Sequence, residues 1–317
     1  MSEPTTELTT LYLRKNEERR LRAGHLWVYS NEVDIERSPL KELEPGQPVL
    51  IRAANGYVQG SGYANPGSLI AARLVSRSAG EPFDDANAPA LILARLQQAL
   101  EGRKQLYTEP FYRLCYGESD GLPGLVVDRF GDYLSVQITT SGMQRYSDAV
   151  VEGLKKVCKP KGILLRNDHP LRNLEGLDES IVVAYGEVPE QVEVREHGAV
   201  FMADLYKGQK TGWYFDQAYN RRELAPWVRG KRVLDVCCYA GGWAIQSARA
   251  GAKEVWAVDS SVPALNATVE NATRNNVEVT TVEGDAFETL RALAENEEKF
   301  DVVMIDPPPF IKRRKDA

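Results

Sequence analysis

The sequence predicts an α/β protein of three domains: a small β-barrel over residues 1–80, a central α+β domain over 81–190 and an open parallel α/β sheet over 191–317. Three observations support this prediction. A chain of 317 residues is longer than one typical core. Short segments of alternating apolar and polar residues, broken by glycine, proline and asparagine, fill the first part. Four strand-turn units follow one another near the end, and the first strand is almost wholly apolar, as a buried parallel strand should be.

Composition limits the class of protein. Hydrophobic residues make up 43% and charged residues 26%, which is typical of a soluble globular chain. The sequence has no apolar run of bilayer length and no signal-peptide core, so we expect a cytoplasmic protein that meets no membrane. The four cysteines fit neither a disulfide framework nor zinc spacing, which predicts a reducing compartment and no metal site.

The charge pattern limits the partners. A net charge of −6 argues against broad nonspecific binding of nucleic acid but allows local basic patches. Two runs are candidates, although such a run is more often a solvated face. They comprise Arg14, Lys15, Arg19, Arg20 and Arg22 near the start, and Lys312, Arg313, Arg314 and Lys315 near the end.

The elements before the parallel sheet follow from periodicity. The first domain has strands in LYLRK, HLWVYSNEV, PVLIRAANGYVQGSGYAN and IAARLVSRS. The second begins with a helix and continues with three strands in YRLCYGESDGLPGLVVDRFGDYLSVQITT, a helix from Met143 to Val157 and the strand GILLRND. A hairpin in QVEVREHGAVFMADL and a helix near residues 220–227 precede the four sheet units.

The first sheet unit is the strand 231–238, the turn Tyr239-Ala240-Gly241-Gly242 and a helix from Trp243 to about Ala250. Glycines at such a turn let a ligand approach the backbone, and the helix N-terminus offers free N–H groups. The alternative is an ordinary strand-to-helix turn. Because the turn lacks the G-x-G-x-x-G pattern, a dinucleotide site is disfavoured.

Acidic residues end the next two strands. Asp259 ends EVWAVD, 24 residues after Asp235, where a carboxylate can accept both ribose hydroxyls or simply cap a helix. Ser260 or Ser261 is expected to cap the following helix. Asp285 ends VTTVEGD, although an acid that opens a helix is common. The apolar faces of the two helices are predicted from Leu265, Val269 and Ala272, and from Phe287, Leu290 and Leu293.

The fourth strand, FDVVMI, ends in Asp306-Pro307-Pro308-Pro309-Phe310. Three prolines stiffen this loop and remove N–H donors. The loop therefore presents carbonyls and one carboxylate to a planar base, with Phe310 available for stacking. The alternative is a proline-rich loop that only ends the strand.

These motifs together resemble a family, the 23S ribosomal RNA cytosine-C5 methyltransferases with an N-terminal PUA domain, over nearly the whole chain. RRLRAGHLWVYSNEV resembles the opening of the PUA domain, and GESDGLPGLVVDRFG the hallmark of the central domain. GQKTGWYFDQAYNR resembles the segment that covers the cofactor, and DVCCYAGGWA, AVDSS, GDAF and DPPPF resemble successive methyltransferase motifs. GESDGLPG and GQKTGWYFDQ are the specific ones.

The resemblance implies a Rossmann-like class I fold with strand order 3-2-1-4-5-7-6, of which strands one to four are present, and S-adenosylmethionine (SAM) as methyl donor. It implies 23S ribosomal RNA as partner and leaves a homodimer open. Cofactor contacts are expected from Asp235, Tyr239, Gly241, Asp259, Ser260, Asp285 and Asp306, with Lys210, Tyr214 and Asp216 closing over the cofactor. Asp306 is also expected at the target base, and RNA contacts are expected from Arg20, Arg22, His25, Pro308 and Phe310.

The sequence departs from the family pattern because strands five to seven, and the cysteine that follows strand five, are absent from it. That cysteine attacks C6 of cytosine and makes C5 nucleophilic. None of Cys115, Cys158, Cys237 and Cys238 matches it. We therefore expect that the 317-residue chain does not methylate RNA by itself, and that VVMI is an exposed apolar edge.

Two further hypotheses remain at this stage. An acid followed by two prolines also suits an exocyclic amine such as guanine N2, which needs no cysteine. The protein can also be a noncatalytic RNA-binding protein that uses its first two domains, since PUA domains recognise structured RNA by shape and backbone.

Overall fold

The computed structural model describes residues 8–78 and 80–307. The chain divides into two compact units. The first comprises Met1–Glu190 with Leu205–Gly212, and the second comprises Gln191–Asp204 with Trp213–Ala317. Within the described ranges, no helix has both the length and the apolar character needed to cross a bilayer.

The first unit begins with a five-stranded sheet in the order β1-β3-β4-β5-β2, with the short helix α1 between β1 and β2. A bridge between Leu13 and Val33 joins the chain just beyond the two edge strands. The sheet is therefore closed into a small barrel, as the alternating pattern predicts. The elements are β1 Thr9–Tyr12, α1 Glu18–Arg22, β2 Trp27–Tyr29, β3 Gln47–Arg52, β4 Val58–Ala64 and β5 Ile70–Ser76.

A second five-stranded sheet, in the order β10-β9-β8-β7-β6, carries two helices, α2 and α4, against one face. The elements are α2 Ala88–Leu106, β6 Phe111–Tyr116, β7 Leu125–Phe130, β8 Tyr133–Ile138, α3 Ser141–Arg145, α4 Ser147–Cys158, β9 Gly162–Asn167, α5 Leu171–Leu174 and β10 Ser180–Gly186. The single helix predicted from Met143 to Val157 is wrong, because Tyr146 separates α3 from α4. Its ring packs 5.0 Å from that of Phe83, and its hydroxyl donates to Asp85.

The described part of the second unit contains a hairpin, four α-helices and a parallel sheet. The hairpin turns at His197 and Gly198, which both have positive φ, as a tight two-residue turn requires. The sheet has the order β15-β14-β13-β16, which is the predicted order 3-2-1-4. The elements are β11 Gln191–Glu196, β12 Ala199–Asp204, α6 Ala218–Val228, β13 Arg232–Val236, α7 Gly242–Arg249, β14 Glu254–Asp259, α8 Val262–Arg274, β15 Thr280–Glu283, α9 Ala286–Glu295 and β16 Val302–Ile305.

Residues 205–212 pack with the first unit, although the sequence places them in the third domain. The guanidinium of Arg166 on β9 donates to the carbonyls of Leu205 and Gly208. The hydroxyl of Thr211 donates to the buried carboxylate of Asp128 on β7. Through these contacts the segment after the hairpin packs with the first unit. A sequence pattern does not reveal them, because the partners are far apart in the chain.

Two residues predicted in the apolar faces of α8 and α9 lie in solvent. Val269 is 49% exposed and Phe287 is 63% exposed. In α8 the buried position belongs to Thr268, whose hydroxyl donates to the carbonyls of Tyr239 and Ala264. A polar side chain can be buried in place of an apolar one when its hydroxyl is hydrogen-bonded to the backbone.

Candidate active site

The turn after β13 forms the floor of the site. β13 ends at Val236, two residues earlier than predicted, because Cys237 and Tyr239 adopt left-handed backbone with φ of 66° and 49°. Gly241 also has positive φ, and a Cβ there would lie 2.7 Å from a methyl carbon of Thr268. Only glycine therefore lets the chain turn so closely above α8 into α7.

Asp259, at the end of β14, joins two turns. One carboxylate oxygen accepts a hydrogen bond from the Tyr239 backbone N–H at 2.9 Å, and the other accepts from the Ser261 N–H at 2.9 Å. Each oxygen keeps a second lone pair that can accept a hydroxyl proton. Ser261 rather than Ser260 caps α8, since its hydroxyl accepts from the Ala264 N–H, and Ser260 is exposed.

Asp235 lies on β13 and is fully buried. One carboxyl oxygen accepts from the Ala244 N–H in the first turn of α7, whereas the other has no hydrogen-bond partner among the described residues. Burial raises the pKa of this carboxyl from 3.8 to about 7, and the nearby charges of Asp306 and Asp259 act in the same direction. The free energy of folding therefore depends on the protonation of this side chain.

We expect Asp235→Asn to reduce the loss of stability between pH 4 and pH 7. In that range the unfolded chain releases the Asp235 proton while the folded chain keeps it, so the wild type loses stability as the pH rises. Asparagine has no proton to lose and can still accept from Ala244. Urea unfolding at pH 4.5, 6 and 8 measures the difference, which should grow in favour of the variant up to about pH 7. A difference independent of pH would contradict this expectation.

Asp306 follows β16 and lies close to two aromatic side chains. The indole N–H of Trp243 donates to its carboxylate at 3.4 Å. The rings of Tyr214 and Tyr239 meet edge to face at 5.5 Å. Burial raises the pKa of Tyr214 to about 12, and the charge of Asp306 also raises it, so this phenol stays protonated at neutral pH. Sequence reasoning did not assign Trp243 to the site, although its place just after the glycine turn was a usable signal.

A buried ion pair supports the segment that contains Tyr214. The Arg221 guanidinium donates twice to Glu196, at 2.6 Å each, and once to the Tyr214 carbonyl at 2.8 Å. Trp213 donates its indole N–H to the same carboxylate. Because charge-assisted bidentate pairs fix geometry, this network orients the chain around Tyr214. Its partners are far apart in sequence, and no local pattern signals them.

The remaining predicted site residues lie in several places. Asp285 is exposed, and its carboxylate accepts from the Phe287 and Glu288 N–H groups as the N-cap of α9. Asp216 is exposed in a one-turn helix at Phe215–Gln217. Lys210 belongs to residues 205–212 of the other unit.

The predicted RNA contacts lie in the first unit or beyond the described residues. Arg20 forms an ion pair with Glu32 at 2.8 Å, whereas Arg22 and His25 are exposed. Pro308 and Phe310 lie outside the described residues.

The four cysteines are unsuited to nucleophilic attack. Cys115, Cys158 and Cys238 are buried and Cys237 is half-buried. Burial raises the pKa of each thiol, and neighbouring aspartates raise the pKa of Cys237 and Cys238 further. A thiol with a raised pKa supplies little thiolate at neutral pH. This agrees with their interpretation as packing residues.

The arrangement fits SAM. A cationic, ribose-bearing ligand needs negative charge and hydroxyl acceptors, and Asp259 at the end of β14 and Asp306 just after β16 supply carboxylates on either side of β13. The α7 N-terminus contributes backbone N–H groups beside them. In open α/β sheets this edge is where ligands bind.

Comparison with known proteins agrees with this geometry. A family model for PUA-like domains matches residues 11–77, and one for SAM-dependent methyltransferases matches residues 170–315. The ribosomal RNA large subunit methyltransferase I of Aeromonas hydrophila is 36% identical over 314 residues, which cover 96% of this chain and 77% of that protein. The protein of the same name from Shigella boydii is 33% identical over 311 residues, with the same coverage.

Solved structures show the same fold. A structure from Streptococcus mutans assigned as a SAM-dependent methyltransferase has a TM-score of 0.79 at 21% identity, covering 95% of this chain and 77% of its own. A methyltransferase solved in complex with SAH has a TM-score of 0.82 at 21% identity, covering 97% and 78%.

The fold and the site define a SAM-dependent methyltransferase with an N-terminal PUA-like domain, so the predicted fold class and cofactor are confirmed. The chain belongs to the ribosomal RNA large subunit methyltransferase I family.

Proposed function

We propose that this protein belongs to the machinery that transfers a methyl group from SAM to C5 of a cytosine in 23S ribosomal RNA. The observation that carries the proposal is the similarity to large subunit methyltransferases along nearly the whole chain, 96% of it, across both the PUA-like and methyltransferase domains. The choice of C5 rests on the resemblance of GESDGLPG and GQKTGWYFDQ to the cytosine-C5 family.

The residues of the site have separate tasks in this proposal. Bound SAM supplies an electrophilic methyl group on a sulfonium. Asp259 accepts the ribose hydroxyls while its backbone contacts hold the turn. Asp306 accepts a hydrogen bond from an amino group of the target base, and Trp243 orients that carboxylate. The protonated phenol of Tyr214 adds a neutral donor without repelling these acids.

C5 transfer also needs a thiolate at C6 of the base, because C5 of cytosine is a poor nucleophile by itself. Addition of the thiolate makes C5 nucleophilic, and loss of the C5 proton after methyl transfer lets the thiol leave. The four cysteines are buried or half-buried and burial raises the pKa of each thiol, which disfavours them in this role. C5 chemistry therefore requires a cysteine other than these four.

The guanine N2 alternative remains open because an exocyclic amine attacks the methyl group with its own lone pair. Asp306 can accept one of the amine protons in that case as well. Noncatalytic RNA binding by the first unit is the second alternative. The two methyltransferase hypotheses have ribosomal RNA as substrate, the third has structured RNA as ligand, and all three imply a cytoplasmic protein. The homodimer stays a prediction tested by light scattering of the purified chain.

A methylation assay separates these hypotheses. We expect no 5-methylcytidine when the chain is incubated with 23S ribosomal RNA and methyl-labelled SAM. The full-length Aeromonas hydrophila relative, treated in the same way, serves as the comparison, and from it we expect 5-methylcytidine. Label in N2-methylguanosine would instead favour the amine alternative. RNA binding without any methylated nucleoside from either protein would favour the noncatalytic alternative.

A further inference from the structure

Trp27 on the edge strand β2 is partly exposed yet held rigidly. Its side chain is 37% exposed, while the adjacent Val28 is fully buried. The indole N–H donates to the Glu118 carboxylate at 2.6 Å, across 91 residues of sequence. Tryptophan is common at binding surfaces because its ring offers apolar area while the N–H stays hydrogen-bonded.

The turn that carries Glu118 is itself fixed. Glu118 lies in the GESDGLPG segment, in a one-turn helix at Gly117–Asp120. Arg103 donates two hydrogen bonds to Asp120, at 2.8 and 2.7 Å, and the Tyr116 N–H donates to the same carboxylate. The orientation of the indole is therefore set before any ligand arrives, which lowers the entropy lost on binding.

A second aromatic ring contacts this indole, and two arginines lie near the same strand. Tyr29 meets it edge to face at 6.5 Å, and the Arg20 guanidinium lies 4.8 Å from the centre of the Tyr29 ring. Arg77 is exposed and donates to the carbonyl of His25, two residues before Trp27. We call this group the Trp27 surface, comprising Arg20, Trp27, Tyr29 and Arg77.

The charges on the Trp27 surface favour contact with a base over a long phosphate track. Glu32 pairs with Arg20, and Glu118 lies against the indole, so acids offset part of the positive charge. The whole chain is also acidic, at −6. Aromatic stacking is compatible with acids beside the arginines, because it depends on the faces of the rings rather than on net charge.

We propose that the Trp27 indole, held by Glu118, stacks on one unpaired base of the RNA substrate. The proposal rests on the proposed function for the choice of RNA, and it assigns a task to the GESDGLPG segment. Unpaired bases are the usual targets of aromatic side chains in RNA recognition, whereas paired bases are already stacked on one another. A fully paired duplex should therefore gain little from Trp27.

Fluorescence anisotropy with the whole chain tests the proposal. The probes are a labelled 23S stem-loop with an unpaired loop and the same stem as a closed duplex. We expect Trp27→Ala to bind the stem-loop about 5- to 150-fold more weakly, the range given by stacking of one base. Trp27→Phe keeps a stacking ring but cannot donate to Glu118, so it should lose affinity, although less than Trp27→Ala. The matched control is Trp227→Ala, which removes an indole that is 72% exposed on α6 and should change nothing.

Intrinsic fluorescence gives a second readout that does not need the alanine variant to fold. A stacked base should quench Trp27 emission, so the stem-loop should quench the wild type more than Trp27→Phe. A Trp27→Ala chain that melts earlier but binds the stem-loop normally would overturn the proposal, as would equal quenching of wild type and Trp27→Phe. Neither result depends on methyl transfer, so failure of the methylation assay and failure of this proposal are distinguishable.

Discussion

Replacing Asp259 with alanine is expected to abolish measurable SAM binding. The carboxylate is the acceptor expected for the ribose hydroxyls, and it also fixes the backbone at Tyr239 and Ser261. Hydrogen bonds to a charged group contribute about 1.5–3 kcal/mol each, so the loss of two should weaken binding by a factor on the order of a hundred or more. Calorimetric titration of SAM into the purified chain measures this change.

The control variant replaces an aspartate that also accepts a hydrogen bond from a backbone N–H but lies at the opposite end of the sheet. Asp301 accepts a hydrogen bond from the Arg232 N–H at 2.8 Å, before β16 rather than after β14. Asp301→Ala should leave SAM affinity unchanged. Asp259→Asn should retain partial binding, because its amide oxygen still accepts one hydrogen bond. If Asp259→Ala bound SAM as tightly as the wild type, the ribose contact would be wrong.

The sheet order was implied by the family resemblance, whereas the acids at the carboxyl edge follow from the sequence pattern. A parallel strand is buried on both faces, so EVWAVD is recognisable from composition, and β14 spans the predicted Glu254–Asp259. VVMI was expected to be an exposed apolar edge, and Val303 and Ile305 on β16 are 49% and 56% exposed. The residue that follows each strand then lies at one edge by geometry. For this reason Asp259 and Asp306 could be placed together without coordinates, whereas Asp235, which lies inside β13, was expected near the cofactor only from the family resemblance.

The supports of the site could not be predicted, because they depend on contacts between distant segments. The Arg221–Glu196 pair joins residues 25 positions apart in sequence, and Trp243 reaches Asp306 across 63 positions. Helical spacing likewise predicts that α8 has a buried face. It does not predict that the hydrogen-bonded Thr268, rather than Val269, is buried there. Two consecutive serines after Asp259 fit the capping pattern equally well, and only the φ/ψ of the chain selects Ser261.

The two β-sheets of the first unit are joined by a buried carboxylate that follows α5. The Glu175 side chain is only 4% exposed and accepts from Arg73 on β5 at 2.8 Å. Its other oxygen accepts from Asn65 at 2.7 Å and from the Ser141 hydroxyl at 3.2 Å. One guanidinium nitrogen of Arg73 has no hydrogen-bond partner within the described residues. The Glu175 carboxylate therefore offsets most of the cost of burying the Arg73 charge.

Glu175→Ala is therefore expected to destabilise the first unit by about 3–5 kcal/mol, because it leaves the Arg73 charge buried and unpaired. Hydrogen exchange of β5 amides during urea titration measures this unit separately from the other. The control, Glu179→Ala, removes an exposed carboxylate that accepts from Asn173 and should cost less than about 0.5 kcal/mol. The double variant Arg73→Met/Glu175→Leu should recover most of the loss, since apolar groups of similar volume carry no desolvation penalty. A loss below about 1 kcal/mol for Glu175→Ala would mean that water reaches Arg73.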